Sequence, residues 1–510
     1  MANRLLSIPP GSVPQFDELY IISDLHLGGP SGFQIFNSGA ELARLIVHLR
    51  TQSPEKRVAL LINGDFVDFL AERPAVHFDP AGAIGKLNRI AKEDPAFVPV
   101  FEELKNFAAT ENRYLIINLG NHDLELALPW VRANLLEMLS DGNEAVCGRI
   151  NLAFDGTGFL CRVGNATVLC VHGNEVDAWN VADYETIRRF GREVIQGRPV
   201  DSWIPNAGSQ LVIDVMNHIK ETYPFVDLLK PEKEAVLPTL LALAPEMHDK
   251  LFAIAATMTR LVWDKFKRAT GFLGSEEEEE YLAGRTVALA DMLPATRPSF
   301  RAVSGNGNPE FDRLKYAEAL LDETEERLNR SVNPLSLVGG DQRGEFLGVT
   351  AAVIKYFRGE DTCEVLREAL EKLRQDRTFD PKIEDDTYKS LDEQIGDGAD
   401  FLVAGHTHLA RALQRKRGHG WYFNSGTWAR LIKLEKHVLE DKDQFRNAFN
   451  AFKQGTIEAL DSFPNLVMRH LTVVAIWSDG LSTHGELRRV SLDMAAPILP
   501  ADPTYRFTKS

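Results

Sequence analysis

The chain has 510 residues, a formal net charge of -16 at pH 7 and an apolar fraction of 44%. This length exceeds what one hydrophobic core usually supports, so we expect a core domain that carries an elaboration. The negative charge argues against a general nucleic-acid binder, because phosphate backbones are held mainly by clustered Lys and Arg. The N-terminal apolar run is too short for a secretory signal, and no stretch approaches the roughly 20 apolar residues of a membrane span. The sequence therefore predicts a cytoplasmic protein.

The first half of the chain alternates short apolar runs with helical patterns. Helical periodicity covers residues 40–50 and 101–109. The dipeptides Gly164-Asn165 and Asp479-Gly480 predict hairpins, which would add strands of mixed direction. Apolar runs that stop at polar or glycine-rich turns predict strands over residues 18–23, 57–63, 113–119, 401–404 and 421–424. Together these patterns predict a layered α/β fold.

The sequence changes in character between residues 179 and 397, where long amphipathic stretches replace strand patterns. These stretches cover residues 184–196, 209–223, 246–270, 311–329 and 362–375. We therefore predict a large all-helical insertion over residues 179–397. It would separate a first part of the core, residues 1–178, from a second part, residues 398–510.

Five short polar motifs directly follow predicted strands. They are Asp24-Leu25-His26, Gly64-Asp65, Gly120-Asn121-His122-Asp123, His172-Gly173 and Gly405-His406-Thr407-His408. Open α/β sheets bind ligands where strands end and loops begin, so these side chains are candidates for one site. Each motif alone is weak evidence, because turn aspartates and surface histidines are common. Five motifs in this order, each at a strand end, make coincidence a poor explanation.

The residue types in these motifs suit a metal centre. In an extended segment, residues i and i+2 project to the same side, so Asp24 and His26 can approach one cation. The same spacing relates His406 and His408, whose neutral imidazoles suit borderline metals. Asp65 has two oxygens, with which it can bridge two cations.

The third motif offers three different groups. The amide oxygen of Asn121 can bind a metal, and the imidazole of His122 would lie beside the reacting phosphate. We expect Asp123 to orient that imidazole. Asp68 is expected to orient a metal ligand rather than to bind metal itself.

The loop after His172 is crowded with polar residues, among them Glu175, Asp177 and Asn180. Two interpretations stay open. These residues contact the substrate, or they cap the next helix and satisfy the loop backbone.

The five motifs resemble those of the calcineurin-like metallophosphoesterases, over about residues 16–178 and 398–490. The run Phe423-Asn-Ser-Gly-Thr-Trp428 also resembles the strand and turn that follow the last histidines in that family. The resemblance implies a layered α/β/β/α core, with two mixed sheets flanked by helices. The predicted helical insertion has no counterpart in it.

The resemblance also implies a dinuclear centre. One metal would be held by Asp24, His26, Asp65 and His408, and the other by Asp65, Asn121, His172 and His406. Mixed oxygen and nitrogen ligands favour Mn, Fe, Zn or Co over Mg, and Mn is our first expectation. Two such cations would lower the pKa of a bridging water, whose hydroxide attacks phosphorus. His122, partnered by Asp123, would protonate the leaving alkoxide or would bind the phosphate.

The resemblance leaves the substrate open. A phosphomonoester, phosphodiester or pyrophosphate of a small molecule or nucleotide fits it. The lipid A-pathway UDP-diacylglucosamine hydrolase shares several of these motifs. Its second motif differs from the one in this chain, and it carries Arg at the position that corresponds to His122. A nuclease acting on nucleic-acid ends is disfavoured by the net charge, and a non-catalytic scaffold by the complete ligand set. We expect the insertion to cap the metal centre; the alternative is an excursion that mediates oligomer formation.

Overall fold

The computed structural model describes residues 12–76, 78–177, 180–200, 223–229, 239, 242–243, 361–372, 378–463 and 466–510. The chain divides into two compact units. One comprises Met1–Leu228, Asp376–Lys433 and Gly455–Ser510, and the other Leu229–Gln375 and Leu434–Gln454. All five polar motifs belong to the first unit, which is described first.

The strands of the described residues are, in chain order, β1 (Gln15–Phe16), β2 (Glu18–Ile22), β3 (Val58–Asn63), β4 (Arg113–Asn118), β5 (Ile150–Ala153), β6 (Phe159–Val163), β7 (Ala166–Cys170), β8 (Phe401–Ala404), β9 (Arg411–Gln414), β10 (Trp421–Asn424), β11 (Leu431–Ile432), β12 (Val467–Met468), β13 (Thr472–Ser478), β14 (Thr483–Arg489) and β15 (Arg506–Lys509). The α-helices of the described residues are α1 (Gly39–Thr51), α2 (Ala83–Asn88), α3 (Val98–Ala109), α4 (Pro129–Ser140), α5 (Glu144–Cys147), α6 (Tyr184–Ile195), α7 (Thr362–Lys372), α8 (Asp386–Gln394), α9 (Lys436–Glu440), α10 (Lys442–Gln454) and α11 (Ile457–Asp461).

The larger sheet has seven strands in the order β15-β14-β13-β2-β3-β4-β5. Strands β2 to β5 are parallel, and β13, β14 and β15 extend the sheet in antiparallel pairs. Every residue of β2 and β3 is buried, which explains their continuous apolar sequences. The strands predicted over residues 18–23, 57–63 and 113–119 are confirmed to within one residue at either end.

The second sheet has six strands in the order β1-β6-β7-β8-β10-β9. Its centre, β7-β8-β10, is parallel. The hairpin predicted at Gly164-Asn165 is confirmed as β6-β7, and the one predicted at Asp479-Gly480 as β13-β14 in the larger sheet. The strands predicted over residues 401–404 and 421–424 are β8 and β10.

The two sheets share one core, and helices cover their outer faces. Along β2, Leu19 and Ile21 point into a core that also contains Cys161 and Val403 of the six-stranded sheet. The alternate residues of β2 face the other way and pack with apolar residues of α1, α3 and α4. On the far side of the six-stranded sheet, α8 packs on Leu402 and its neighbours. This arrangement confirms the predicted α/β/β/α layers.

The described part of the predicted insertion contains α6, α7 and α8. The helices predicted over residues 246–270 and 311–329 lie outside the described residues, as does nearly all of 209–223. The helical insertion over residues 179–397 therefore stays a prediction. In the second unit, α7 is joined to the region of α9 and α10 by an ion pair between Asp361 and Arg446 and by a hydrogen bond from Arg367 to the carbonyl of Leu439. Within the described residues, no helix is both long and apolar enough to cross a membrane.

Candidate metal centre

The five motifs meet at one edge of the first unit, where parallel strands of both sheets end. Asp24, Asp65 and Asn121 follow β2, β3 and β4 of the larger sheet, and His172 and His406 follow β7 and β8 of the other. Hydrogen bonds connect the two sets. Nδ1 of His172 lies 2.8 Å from the carbonyl oxygen of Asn63, and the amide of His406 donates to Oδ2 of Asp24 at 3.0 Å.

The backbone at this edge adopts an unusual conformation. The left-handed φ values at non-glycine positions include Asp24 (53°), His26 (49°), Asp65 (50°), His406 (70°) and His408 (62°). Positive φ is uncommon at residues other than glycine, and each such residue costs about 1–3 kcal/mol of conformational free energy. Residues in this conformation cluster at functional sites. The surrounding structure holds them in place, since the amides of Leu25 and His26 both donate to the carbonyl of Asp65 at 2.9 Å. The i, i+2 pairs thus converge through tight left-handed turns and not, as predicted, through extended backbone.

Two glycines allow the motifs to approach one another. A Cβ atom at Gly120 would overlap the carboxylate of Asp65, and one at Gly64 would overlap the imidazole of His172. Only glycine leaves room at these two positions. The glycines of the G-D and G-N-H-D motifs are therefore required for close packing, in addition to the ligand chemistry of the residues that follow them.

One group of side chains surrounds the position between Asp24 and Asp65. Nε2 of His26 lies 3.0 Å from Nε2 of His408 and 3.6 Å from Oδ2 of Asp65. Nε2 of His408 lies 3.3 Å from Oδ1 of Asp24. All four residues are buried, and their ligand atoms are close enough to hold one cation.

A second group shares Asp65 with the first. It contains His172 and His406, and Nε2 of His172 lies 3.2 Å from Oδ2 of Asp65. Because Nδ1 of His172 faces the carbonyl of Asn63, Nε2 is the nitrogen turned toward the carboxylate. The amide of His122, next to Asn121, donates to Oδ1 of Asp65 at 2.9 Å.

The donor atoms of this centre fit divalent cations. Within the described chain, the buried Oδ1 of Asn121 has no hydrogen-bond partner. Leaving a buried polar atom unsatisfied costs about 1–3 kcal/mol, so this atom points to a ligand. Carboxylate, amide and imidazole donors together suit Mn, Fe, Zn or Co.

The electrostatics of the site favour positive charge. Burial alone would raise the pKa of Asp65, but the neighbouring His172 and His122 hold this pKa well below its usual value. Asp68 follows the same pattern, because His122 and His26 outweigh its burial and lower its pKa. Burial would lower the pKa of His172, yet the charge of Asp65 raises it to about 10. The field that attracts a proton here would also attract a metal cation.

The partner of His122 differs from the prediction. Nδ1 of His122 lies 3.1 Å from Oδ2 of Asp68, whereas Asp123 accepts hydrogen bonds from the amides of Gly120 at 2.7 Å and Phe66 at 2.8 Å. Asp123 is fully buried and ties the third motif to the second. Its pKa is raised to about 7, first by burial and then by the charge of Asp65. The expectation that Asp68 orients a neighbouring ligand agrees with its contacts, since Oδ2 also lies 3.4 Å from Nδ1 of His26.

The loop after His172 supplies a contact that sequence reasoning left undecided. Oδ2 of Asp177 lies 3.1 Å from Nε2 of His406 and accepts a hydrogen bond from Asn180 at 3.1 Å. Glu175 accepts from the amide of Gly173 at 2.6 Å, which fits the loop-forming interpretation. Asp177 therefore touches a candidate metal ligand, and Glu175 and Asn180 shape the loop that presents it.

The turn after β10 braces the centre from behind. Oγ1 of Thr427 donates to the carbonyl of Asp24 at 2.8 Å, and Nδ2 of Asn424 donates to the carbonyl of Gly405 at 2.6 Å. This turn lies in the run Phe423–Trp428 that resembled the family's final strand and turn. It connects the first motif to the last.

The α/β/β/α fold and the cluster around Asp65 are consistent with a metallophosphoesterase core. Residues 18–236 match the family model described as calcineurin-like phosphoesterase. The match includes the first four motifs and ends before the fifth, at Gly405–His408. This family implies metal-dependent hydrolysis of phosphoesters, and the buried Asp/His groups fit a metal site. A comparison with curated proteins gives no match.

Proposed function

We propose that the protein is a cytoplasmic phosphoesterase that binds two divalent cations, with Mn as the first candidate. The observation that carries this proposal is the position of Asp65, which belongs to two of the three groups of ligand atoms in the described chain; the third group is His26, Asp68 and His122. One cation would be held by Asp24, His26, Asp65 and His408, and the other by Asp65, Asn121, His172 and His406. When bound, such a pair supplies Lewis acidity, which lowers the pKa of water and offsets the charge of phosphate.

The residue that faces the leaving group is proposed to be His122. Asp68 holds its Nδ1, so a proton for the departing oxygen would come from Nε2. Hydrolysis forms a P–O bond to the oxygen of water, breaks the bond to the leaving oxygen and transfers a proton to that oxygen. Water supplies the proton that restores His122. If the ring instead anchors the phosphate, its loss would weaken substrate binding more than turnover.

The proposed substrate is a phosphomonoester, phosphodiester or pyrophosphate of a small molecule or nucleotide. Phosphodiesterase activity is the first case to test. The diester bis(p-nitrophenyl) phosphate is a generic substrate for this test, because its hydrolysis should require the intact dinuclear centre. The protein should hydrolyse this ester with Mn²⁺ and lose the activity with a chelator. A panel of nucleotides, single-stranded DNA and lipid pyrophosphates would then rank the substrate classes. Absence of metal-dependent hydrolysis across the panel would refute the enzyme and favour a binding scaffold.

We further propose that residues 179–397 form a helical insertion that controls access to the centre. The support is positional: the insertion begins next to Asp177, which contacts His406. Its other end leads into β8 at Phe401, at the opposite end of that strand from His406, so only the first root lies beside the centre. Replacing residues 201–360 by a Gly-Ser linker should raise activity toward small diesters relative to bulky ones. An unchanged substrate profile in a folded, metal-loaded variant would favour a role in assembly instead.

A further inference from the structure

A cleft opens beside His122 and shares that residue and Asn121 with the metal centre. Any group bound there lies within reach of the phosphate on which the centre acts. The cleft belongs wholly to the first unit. Its position, on the side of the proposed proton donor, is where the leaving half of a phosphoester would lie.

The lining of this cleft is apolar. Seven of the eleven described residues that line it are apolar, and none of the eleven is Lys or Arg. Phe69, Phe78 and Leu124 form buried wall positions, with exposed fractions of 1%, 6% and 5%. A wall of this kind gains free energy by covering apolar surface. The other four lining residues are Asn121, His122, Glu125 and Asn180.

Two large apolar residues at the same cleft are exposed. Val76 is 45% exposed and Val181 is 40% exposed, and both line the cleft beside His122. Scattered exposed apolar residues need no explanation, but exposed apolar residues that rim a concave surface mark a ligand site. The apolar character thus extends from the floor to the rim.

The contrast with a second cleft shows that this lining is not general around the centre. That cleft lies beside His408 and includes Arg489, Asp502 and His470 in its lining. The two sides of the centre therefore differ in chemistry. Among the described lining residues, the cleft beside His408 contains an arginine, whereas the cleft beside His122 contains neither Lys nor Arg.

We propose that the cleft formed around Phe69, Phe78, Val76 and Val181 binds the leaving group of the substrate, and that this group is an uncharged, apolar alcohol or phenol. The proposal rests on the proposed phosphoesterase function and names its substrate class. It excludes leaving groups that carry their own negative charge, such as a further phosphate or a nucleic-acid strand. Discrimination arises because a negatively charged group would lose its hydration against the apolar wall, where no Lys or Arg of the described lining would pair with it.

The test compares two leaving groups of similar acidity, 4-chlorophenol and 4-hydroxybenzenesulfonate, as their phosphomonoesters and methyl phosphodiesters. Wild-type protein should favour the chlorophenyl ester in kcat/KM by at least roughly tenfold, the discrimination typical of an apolar pocket. Val181→Asn and Val76→Asn should each reduce that preference about fourfold, the value of one lost methylene contact. Leu481→Asn, at an 89% exposed turn position outside the cleft, is the matched control and should leave the preference unchanged.

A binding measurement makes the result independent of turnover. In saturation-transfer NMR with protein loaded with diamagnetic Zn²⁺, free 4-chlorophenol should bind and the sulfonate should not, and Val181→Asn should weaken the signal. Equal turnover of both esters, or equal binding of both phenols, would overturn the cleft assignment while hydrolysis itself still supported the proposed function. Absence of hydrolysis together with Val181-dependent binding of chlorophenol would refute the proposed function and leave the cleft assignment standing.

Discussion

Oδ2 of Asp177 lies 3.1 Å from Nε2 of His406, and the two residues flank the predicted insertion, residues 179–397, in the sequence. A carboxylate at one ring nitrogen fixes the tautomer and orientation of a metal-binding histidine. Asp177 is thus a positioning residue for His406. Asn180 in turn holds the carboxylate of Asp177.

Replacing Asp177 by Asn should therefore weaken metal binding by about 10–100-fold, the usual loss for a residue that orients a ligand. Metal titration followed by calorimetry measures this directly, without reference to turnover. Asp155→Asn, at an exposed turn, is the matched control and should bind metal normally. Unchanged affinity in Asp177→Asn would show that the contact with His406 is incidental.

Asp65→Asn should remove phosphoesterase activity. It should also lower the metal content further than a variant of a ligand that belongs to only one of the two groups. The reason is that Asp65 is the carboxylate common to both groups of ligand atoms. Elemental analysis and the bis(p-nitrophenyl) phosphate assay test the two effects together. Circular dichroism should stay unchanged, because the fold rests on the apolar core between and beside the sheets. Retained metal and activity would contradict the site assignment.

His122→Ala should keep both metals and lower kcat by roughly 10²–10⁴-fold, the range for a lost general acid. Asp68→Asn should move activity in the same direction by a smaller factor, because it removes the carboxylate beside Nδ1 of His122. His437→Ala, on the exposed face of α9, controls for loss of a histidine as such. A defect confined to KM would assign His122 to phosphate binding in place of proton transfer.

Acidification should destabilise the protein partly through His470. Its pKa is lowered from 6.5 to about 4, mainly by burial and further by the positive charges of Arg489 and Lys433. A histidine with a lower pKa in the folded chain takes up protons more readily when unfolded, so its contribution to stability is present above pH 6.5 and is lost as the pH falls toward 4.

The measurement is urea denaturation of wild type and His470→Gln at pH 7 and pH 4.5. Wild type should lose about 1–2 kcal/mol more than the variant between these pH values, a figure below the full linkage value because the ring is partly exposed. His437→Gln is the control. If the variant and the wild type lose equal stability, His470 is not a determinant of the acid response.

Strand ends were predictable because apolar runs stop where polar motifs begin, and this located Asp24, Asp65 and His406 along the chain. The geometry that joins them was not. The i, i+2 argument assumed extended backbone, whereas these residues have positive φ, a conformation that is uncommon outside glycine even though Asp and His adopt it more often than most residues. Short-range motifs also misled at His122, since its neighbour Asp123 bonds the backbone and the more distant Asp68 faces the ring.

The ligand atoms of the two groups that share Asp65 come from two stretches of chain on either side of residues 201–360, and neither stretch contains either of these groups complete. The family match ends at residue 236, before β8, β9 and β10, and these strands complete the six-stranded sheet beyond β7. A protein truncated at that limit would lose His406 and His408, and it would also leave β7 as an unpaired edge with apolar neighbours exposed to solvent. The borders of the sequence match are therefore not borders of a foldable piece. An autonomous catalytic fragment has to retain the chain through β10 and its bracing turn.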